Sequence, residues 1–238
     1  MTSSRLPGKV MLPLAGQPMI VRVVERVARA EGVDAVCVAV PEGQLHRPVV
    51  TAVADIAGVE VVTGPEQDVL ARTVLAARQT EATTIVRVTS DCPFADPEVV
   101  SSVVGIRAAA NVVYARTAFD RGYPLGFDTE AIAMDSLVAA AAEAVEPYER
   151  EHVTPFIWRQ PERFPAVYVD RLPDLRWWRL VVDCQEDYLL AREVYDTLGA
   201  DFGLVELEGL FRDRPELLDL NADVAQTPYV GVPIRATG

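Results

Sequence analysis

TTIVRVTSDCPFADPEVV (residues 83–100) carries three local signals in one short stretch. Residues 83–88 are mostly β-branched and apolar, as in a strand covered on both faces. Asp96 followed by Pro97 is an N-cap with proline at the first helical position, so a helix opens there. Residues 90–95 are then the loop at a strand's carboxyl end, where ligands bind in open α/β sheets.

The same alternation extends in both directions. Upstream, PMIVRVVERVARAEG from Pro18 places Ile20, Val23, Val24 and Val27 on one helical stripe that stops near Gly32. DAVCVAV (34–40) reads as a buried strand, 43–57 as a helix, VEVV (59–62) as a strand and 68–80 as a helix. Downstream, NVVYA (111–115) reads as a strand. The Gly- and Pro-containing stretch at 119–134 predicts an excursion and a returning strand. Residues 135–145 and 148–159 read as helices, 165–169 as a strand and WWRLVV (177–182) as an apolar run ending at Asp183. A helix from Gln185 and a closing helix or tail at 202–220 complete the chain. Repeated strand–helix units predict an α/β fold with a doubly wound, mostly parallel sheet. No linker or low-complexity block divides the chain, so residues 1–238 read as a single domain with an inserted excursion near 116–134.

Composition narrows the partners. With 35 Asp and Glu against 22 Lys and Arg, the net charge of −13 repels phosphodiester backbones, which argues against nucleic-acid binding. A few convergent cations can still make a cleft attractive to a small anion. Cys37, Cys92 and Cys184 lack CxxC spacing and read as reduced thiols. No signal-peptide core or spanning segment is evident, so a cytoplasmic location without membrane attachment is expected.

Two regions carry candidate chemistry. The opening SSRLPGK gathers Ser3, Ser4, Arg5, Gly8 and Lys9, so hydroxyl, guanidinium and ammonium donors can converge on a polyphosphate, with Gly8 permitting close backbone approach. A solvated basic tail is the competing reading, and GxxxxGK[ST] is absent. Asp91 follows TTIVRV as Asp183 follows WWRLVV, and two strand-end carboxylates can share one Mg²⁺ whose shell phosphate and water complete. Turn capping is the plainer role for Asp91. His46 reads as a surface residue of a polar helix start. His152, among Arg150, Glu151 and Arg159, reads either as an anion contact or as part of a helix face. GxSxG and GxGxxG are both absent, which disfavours an esterase elbow and a dinucleotide site.

Taken in order, SSRLPGK (3–9), LAGQPMI (14–20), VRVTSDCPFADPEVV (86–100), PLGFDTE (124–130), REHVTPFI (150–157) and VVDCQEDYLLAREVY (181–195) resemble the cytidylyltransferase family of the spore-coat polysaccharide biosynthesis type, related to the acylneuraminate and Kdo cytidylyltransferases. The resemblance implies a Rossmann-like nucleotidyltransferase of the nucleotide-diphospho-sugar transferase type. It would use CTP and Mg²⁺ to place CMP on an acidic sugar or another carboxylate- or phosphonate-type oxyanion, releasing pyrophosphate, in polysaccharide, glycolipid or secondary-metabolite biosynthesis. Arg5 and Lys9 take the catalytic, triphosphate-facing role, with Ser3, Ser4, Gly8 and Arg87 in the nucleotide-binding set. Asp91 and Asp183 match the metal positions, and Asp128, Glu130, Arg150 and His152 match motif positions assigned to the acceptor. A homodimer is also implied.

Ser90 stands where relatives often carry Gly. Family members also begin with an apolar strand ending in Ala–Arg just before the stretch matching Met1. The sheet is therefore expected to lack the family's first strand, leaving a gap between strand edges and a loose Ser3–Lys9 segment. A nucleotide-binding protein of the same fold without efficient turnover, or a sugar transferase using a nucleotide sugar, remain alternative readings.

Overall fold

A computed structural model describes residues 1, 3–117 and 121–225; residues 118–120 of the expected excursion lie outside them. After a 3₁₀ turn at Lys9–Met11, a small antiparallel hairpin pairs β1 (Pro13–Leu14) with β2 (Gln17–Pro18). Alternating units follow: α1 (Met19–Val27), β3 (Val36–Pro41), α2 (Arg47–Ala54), β4 (Val59–Gly64), α3 (Val69–Gln79), β5 (Thr84–Val88) and α4 (Pro97–Ala110). Next come β6 (Tyr114–Thr117), β7 (Thr129–Ala133), α5 (Met134–Glu143), α6 (Pro147–His152), α7 (Pro155–Trp158), β8 (Ala166–Val169), α8 (Gln185–Leu198) and α9 (Leu204–Asp213).

The expected start of α4 is realised in full: Asp96 accepts hydrogen bonds from the Glu98 and Val99 amides, with Pro97 opening the helix. At its other end Asn111, in the left-handed region at φ 51°, is the C-cap. That is why β6 starts at Tyr114 rather than at Asn111 as the apolar run suggested.

In the main sheet the strand order is β5-β7-β6-β8. β6 and β8 pair in parallel, and β7 runs against both of its neighbours, which is the returning strand expected after the excursion. Neighbouring strand residues look to opposite faces. Ala115 and Ala131 join a core shared with α1, α2, α4, α8 and α9, whereas Tyr114 and Ile132 join another shared with α3, α5 and α7. Both faces are therefore covered, and the sheet is doubly wound.

β3 and β4 form a separate parallel pair. Among the described residues no ladder joins this pair to the main sheet. Val36 of β3 and Val88 of β5 instead meet in a small cluster with Val23, Val27 and Ala95.

Two expectations change. Residues 148–159 are not one helix: Val153 adopts φ 73°, outside the range a β-branched residue favours, and separates α6 from α7. The run 177–182 is not a ladder strand either. It is held by a single bridge, Leu125 to Arg179, with the Leu125 amide donating to Trp178 O (3.2 Å), the Leu180 amide to Leu125 O (2.8 Å) and the Val182 amide to Asp91 O (2.8 Å). Among the described residues no helix is long and apolar enough to cross a membrane.

Gly126 makes this close approach possible. Its φ is 102°, and a Cβ there would sit 2.4 Å from the carbonyl carbon and oxygen of Leu180. Gly126→Ala is expected to cost roughly 2–3 kcal/mol, read as a lowered urea midpoint, because the clashing atoms are backbone and cannot rotate away.

Candidate functional site

The site begins at the opening loop. Gly8, with φ 72°, turns the chain so that the 3₁₀ turn sends the Lys9 side chain inward. Lys9 Nζ lies 2.9 Å from Asp91 Oδ2 and 2.8 Å from Asp183 Oδ1. Its side chain is only 12% exposed, so both charge pairs form largely out of water. Asp91 sits in the loop after β5, and the Val182 amide bond to its carbonyl brings Asp183 alongside. The two carboxylates thus converge even though only one of them follows a ladder strand.

Asp183 is held from several sides. Its Oδ2 lies 3.0 Å from Arg5 Nη2 and 3.2 Å from Arg179 Nη2. Burial by itself would raise its pKa, but the Lys9 hydrogen bond, with Arg5 and Arg179, holds the carboxyl below the usual range. Lys9 is raised in turn: burial works against its charge, and Asp91 and Asp183 outweigh it. Ser3 and Ser4 lie in the same loop, where Ser3 Oγ accepts from the Leu6 amide at 3.3 Å.

Beneath this pair lies Asp187, an anchor that sequence reading passed over. It is buried at the third position of α8 and accepts from Arg179 Nε (2.8 Å) and Nη2 (2.9 Å), Asn221 Nδ2 (2.9 Å), and the Asp183 (2.9 Å) and Cys184 (3.2 Å) amides. Burial pushes its pKa up, yet the Arg179 and amide hydrogen bonds prevail and hold it low. The signal was present as a capping-box spacing, with cysteine in place of Ser or Thr at the cap.

A second group lines a cavity of about 20 Å³ formed by Arg87, Arg116, Thr117, Asp128, Glu130, His152, Thr154, Pro155 and Trp158. Glu130 is buried and accepts from Arg87 Nη1 (2.6 Å), Thr154 Oγ1 (2.6 Å) and the Tyr114 hydroxyl. Burial opposes its charge, but Arg87 and these hydrogen bonds keep its pKa low. Arg116 stacks near Trp158 and Tyr168, with ring centroids at 5.6 and 5.3 Å, and its buried Nε has no hydrogen-bond partner. Asp128 adjoins the first group: burial pushes its pKa up against the Gly126 amide bond, and the charge of Asp91 adds to the rise. Burial pushes His152 down. The break at Val153 is what lets His152 and Thr154 both reach this cavity.

The structure therefore divides the sequence candidates. Arg5 and Lys9 pair with Asp91 and Asp183, with Ser3, Ser4 and Gly8 in the same loop, whereas Asp128, Glu130 and His152 line the cavity. Arg87 joins the cavity, opposite Glu130 in the β5–β7 register, rather than the opening loop. Arg150 is engaged elsewhere, donating to Asp68, the N-cap of α3, and to Ala141 O at 2.7 Å, so it ties α6 to the frame. His46 is buried, with Nε2 3.5 Å from Glu66, and not at the surface. Arg116 and Thr154 were missed as site residues. Arg116 lay just beyond the strand boundary read from sequence, and Thr154 was absorbed into a continuous helix.

Asp187→Ala would leave Arg179 buried without its main partner, so a loss of about 3–5 kcal/mol is expected in chemical unfolding at neutral pH. The pKa values of Asp183, Asp187 and Glu130 are all lower folded than unfolded. Their contribution is complete above the unfolded carboxyl range near pH ~4 and fades as pH falls through the folded values. Unfolding midpoints measured from pH 7 downward should drop less steeply in the variant.

Residues 1–199 match the sequence profile of the family described as Cytidylyltransferase. The chain is 27% identical over 225 residues to a spore coat polysaccharide biosynthesis protein of Bacillus subtilis, covering 91% of this chain and 92% of that protein. It superposes on a cytidylyltransferase from Leptospira borgpetersenii with TM-score 0.87 and 26% identity, covering 96% of this chain and 95% of that one. A CMP:2-keto-3-deoxy-manno-octonic acid synthetase complexed with CTP shares the fold, with TM-score 0.60 and 19% identity over 82% of this chain and 95% of that one. With the profile spanning most of its length and the paired carboxylates set against an N-terminal cationic loop, the chain belongs to the cytidylyltransferase family.

Proposed function

We propose that the chain transfers CMP from CTP to a small anionic acceptor, an acidic sugar or another carboxylate- or phosphonate-bearing molecule, with release of pyrophosphate. The observation that carries this reading is the convergence of Lys9 on Asp91 and Asp183, beside a cavity that holds two guanidinium groups and an imidazole. The relative whose structure was solved with CTP supports the choice of nucleotide.

The residues divide the work by charge. An acceptor oxygen forms a bond to the α-phosphorus while the bond from that phosphorus to the bridging oxygen breaks, and the pyrophosphate leaves with the electron pair. Lys9 and Arg5 offset negative charge on the phosphoryl oxygens and on the departing pyrophosphate. The cavity would receive the acceptor's anionic group: the Arg116 guanidinium and His152, which line it, would orient that group, while Glu130 holds Arg87 in position.

The carboxylates suit a divalent cation. Two aspartates already share one cation, the Lys9 ammonium, at less than 3 Å. Mg²⁺ is an ion that takes one or two protein carboxylates and completes its shell with phosphate and water. Asp91 and Asp183 would hold Mg²⁺, which when bound supplies positive charge to the triphosphate oxygens.

The test is pyrophosphate release from CTP and Mg²⁺ with a panel of sugar acids and phosphonates. Lys9→Met should lower kcat/KM by on the order of 10²–10³, and His152→Ala should raise the KM for acceptor more than that for CTP. If calorimetry shows CTP binding but no acceptor yields pyrophosphate, the chain is a nucleotide-binding protein and not a transferase of this class. Transfer from a supplied nucleotide sugar would assign it to the sugar transferases.

A further inference from the structure

The two oxygens of Asp183 are not equivalent. Oδ2 is engaged by the guanidinium groups of Arg5 and Arg179, and Arg179 is itself pinned by buried Asp187. Oδ1 is engaged by Lys9, which also holds Asp91 Oδ2. Any cation shared by Asp91 and Asp183 must therefore use the oxygen that Lys9 uses, because the opposite edge of Asp183 already faces two positive groups. The surrounding charges are balanced, with Arg5, Lys9 and Arg179 set against Asp91, Asp183 and Asp187. Adding a divalent ion without moving Lys9 would set two cations against the same oxygens at hydrogen-bond distance.

We propose that the Lys9 ammonium is the resident counter-ion of the Asp91–Asp183 pair and competes directly with a divalent cation for the same carboxylate oxygens, so that metal binding and release of Lys9 toward a polyphosphate are one exchange. The inference rests on the reading of these aspartates as the metal pair. Its physical basis is that like charges repel strongly at a few ångströms in a partly buried site. Lys9 belongs to a short turn of the N-terminal loop and reaches the aspartates through a long flexible stem, so its head can move without unfolding the sheet. A triphosphate supplies the alternative anion. The exchange then makes nucleotide and metal favour each other, since each relieves the cost the other would face.

The test measures Mn²⁺ affinity without nucleotide, by electron paramagnetic resonance of free Mn²⁺ or by calorimetry, at fixed ionic strength. Lys9→Met is expected to bind Mn²⁺ ~10-fold or more tightly than the unaltered chain, and Lys9→Gln to behave alike. Arg5→Met removes the same charge nearby but leaves Oδ1 engaged, so its gain should be clearly smaller. In chelator Lys9→Met should melt below the unaltered chain, because its aspartates repel, and Mg²⁺ should raise its melting temperature by more. Equal Mn²⁺ affinity in Lys9→Met and the unaltered chain, with Asp91→Asn weakening both, overturns the exchange while leaving the metal pair standing. Equal gains from Lys9→Met and Arg5→Met also overturn it, since they would reflect net charge and not a shared oxygen. Failure of folded Lys9→Met to bind Mn²⁺ at all overturns both the exchange and the metal reading beneath it.

Discussion

Two ionised carboxylates from segments far apart in the chain repel each other when they meet in a partly buried site, and a cation between them offsets that repulsion. In this protein the Lys9 ammonium fills that role, lying within 3 Å of both Asp91 and Asp183. Without Lys9 the aspartates would repel across the joint that the Val182 amide makes to the Asp91 carbonyl, at 2.8 Å. The opening loop, the carboxyl end of a core strand and the start of a late helix are therefore joined by one charge triad, and the candidate chemistry gathers around it.

The frame beneath that triad is built from buried polar groups, each with its partners present. Asp187 takes the Arg179 guanidinium and two backbone amides, Asn221 closes the same network, and its side chain also donates to the Arg179 carbonyl. A similar arrangement supports the neighbouring cavity, where Glu130 collects Arg87, Tyr114 and Thr154. Such networks rigidify when every member is satisfied. Among the described residues four buried side-chain polar atoms lack a hydrogen-bond partner, Nε of Arg107, Arg116 and Arg171 and the Tyr148 hydroxyl, and of these residues Arg116 lines the cavity.

The alternation of strand and helix was legible because each unit carries its own local cause. Asp96 and Pro97 start α4 whatever surrounds them, and the apolar runs at 34–40 and 83–88 read correctly as strands, although β3 and β5 are half-buried and not covered on both faces as their composition suggested. Legibility failed where long-range contacts overrode local pattern. Val153 breaks an otherwise continuous helix so that Thr154 can reach Glu130, and WWRLVV is held by one bridge across Gly126 instead of a ladder. Arg150 stands beside His152 in the motif, yet it serves the frame through Asp68, because helical neighbours point in different directions. His46 is polar by type but buried by the contacts of its turn.

Sequence alone determined the strands at 34–40 and 83–88, the capped helix at Pro97, the returning strand and the residue types able to bind phosphate and metal, because these depend on near neighbours and on side-chain chemistry. The tertiary structure decided which of those residues meet. Only the folded chain shows that Lys9 lies between two aspartates, that Arg87 belongs with Glu130 and not with the opening loop, and that Asp187 holds the whole arrangement from below. The reason is that charge pairing acts through space at a few ångströms, while Lys9 and Asp183 are 174 positions apart, Lys9 and Asp91 82, and Arg87 and Glu130 43. Periodicity and spacing carry no record of that distance.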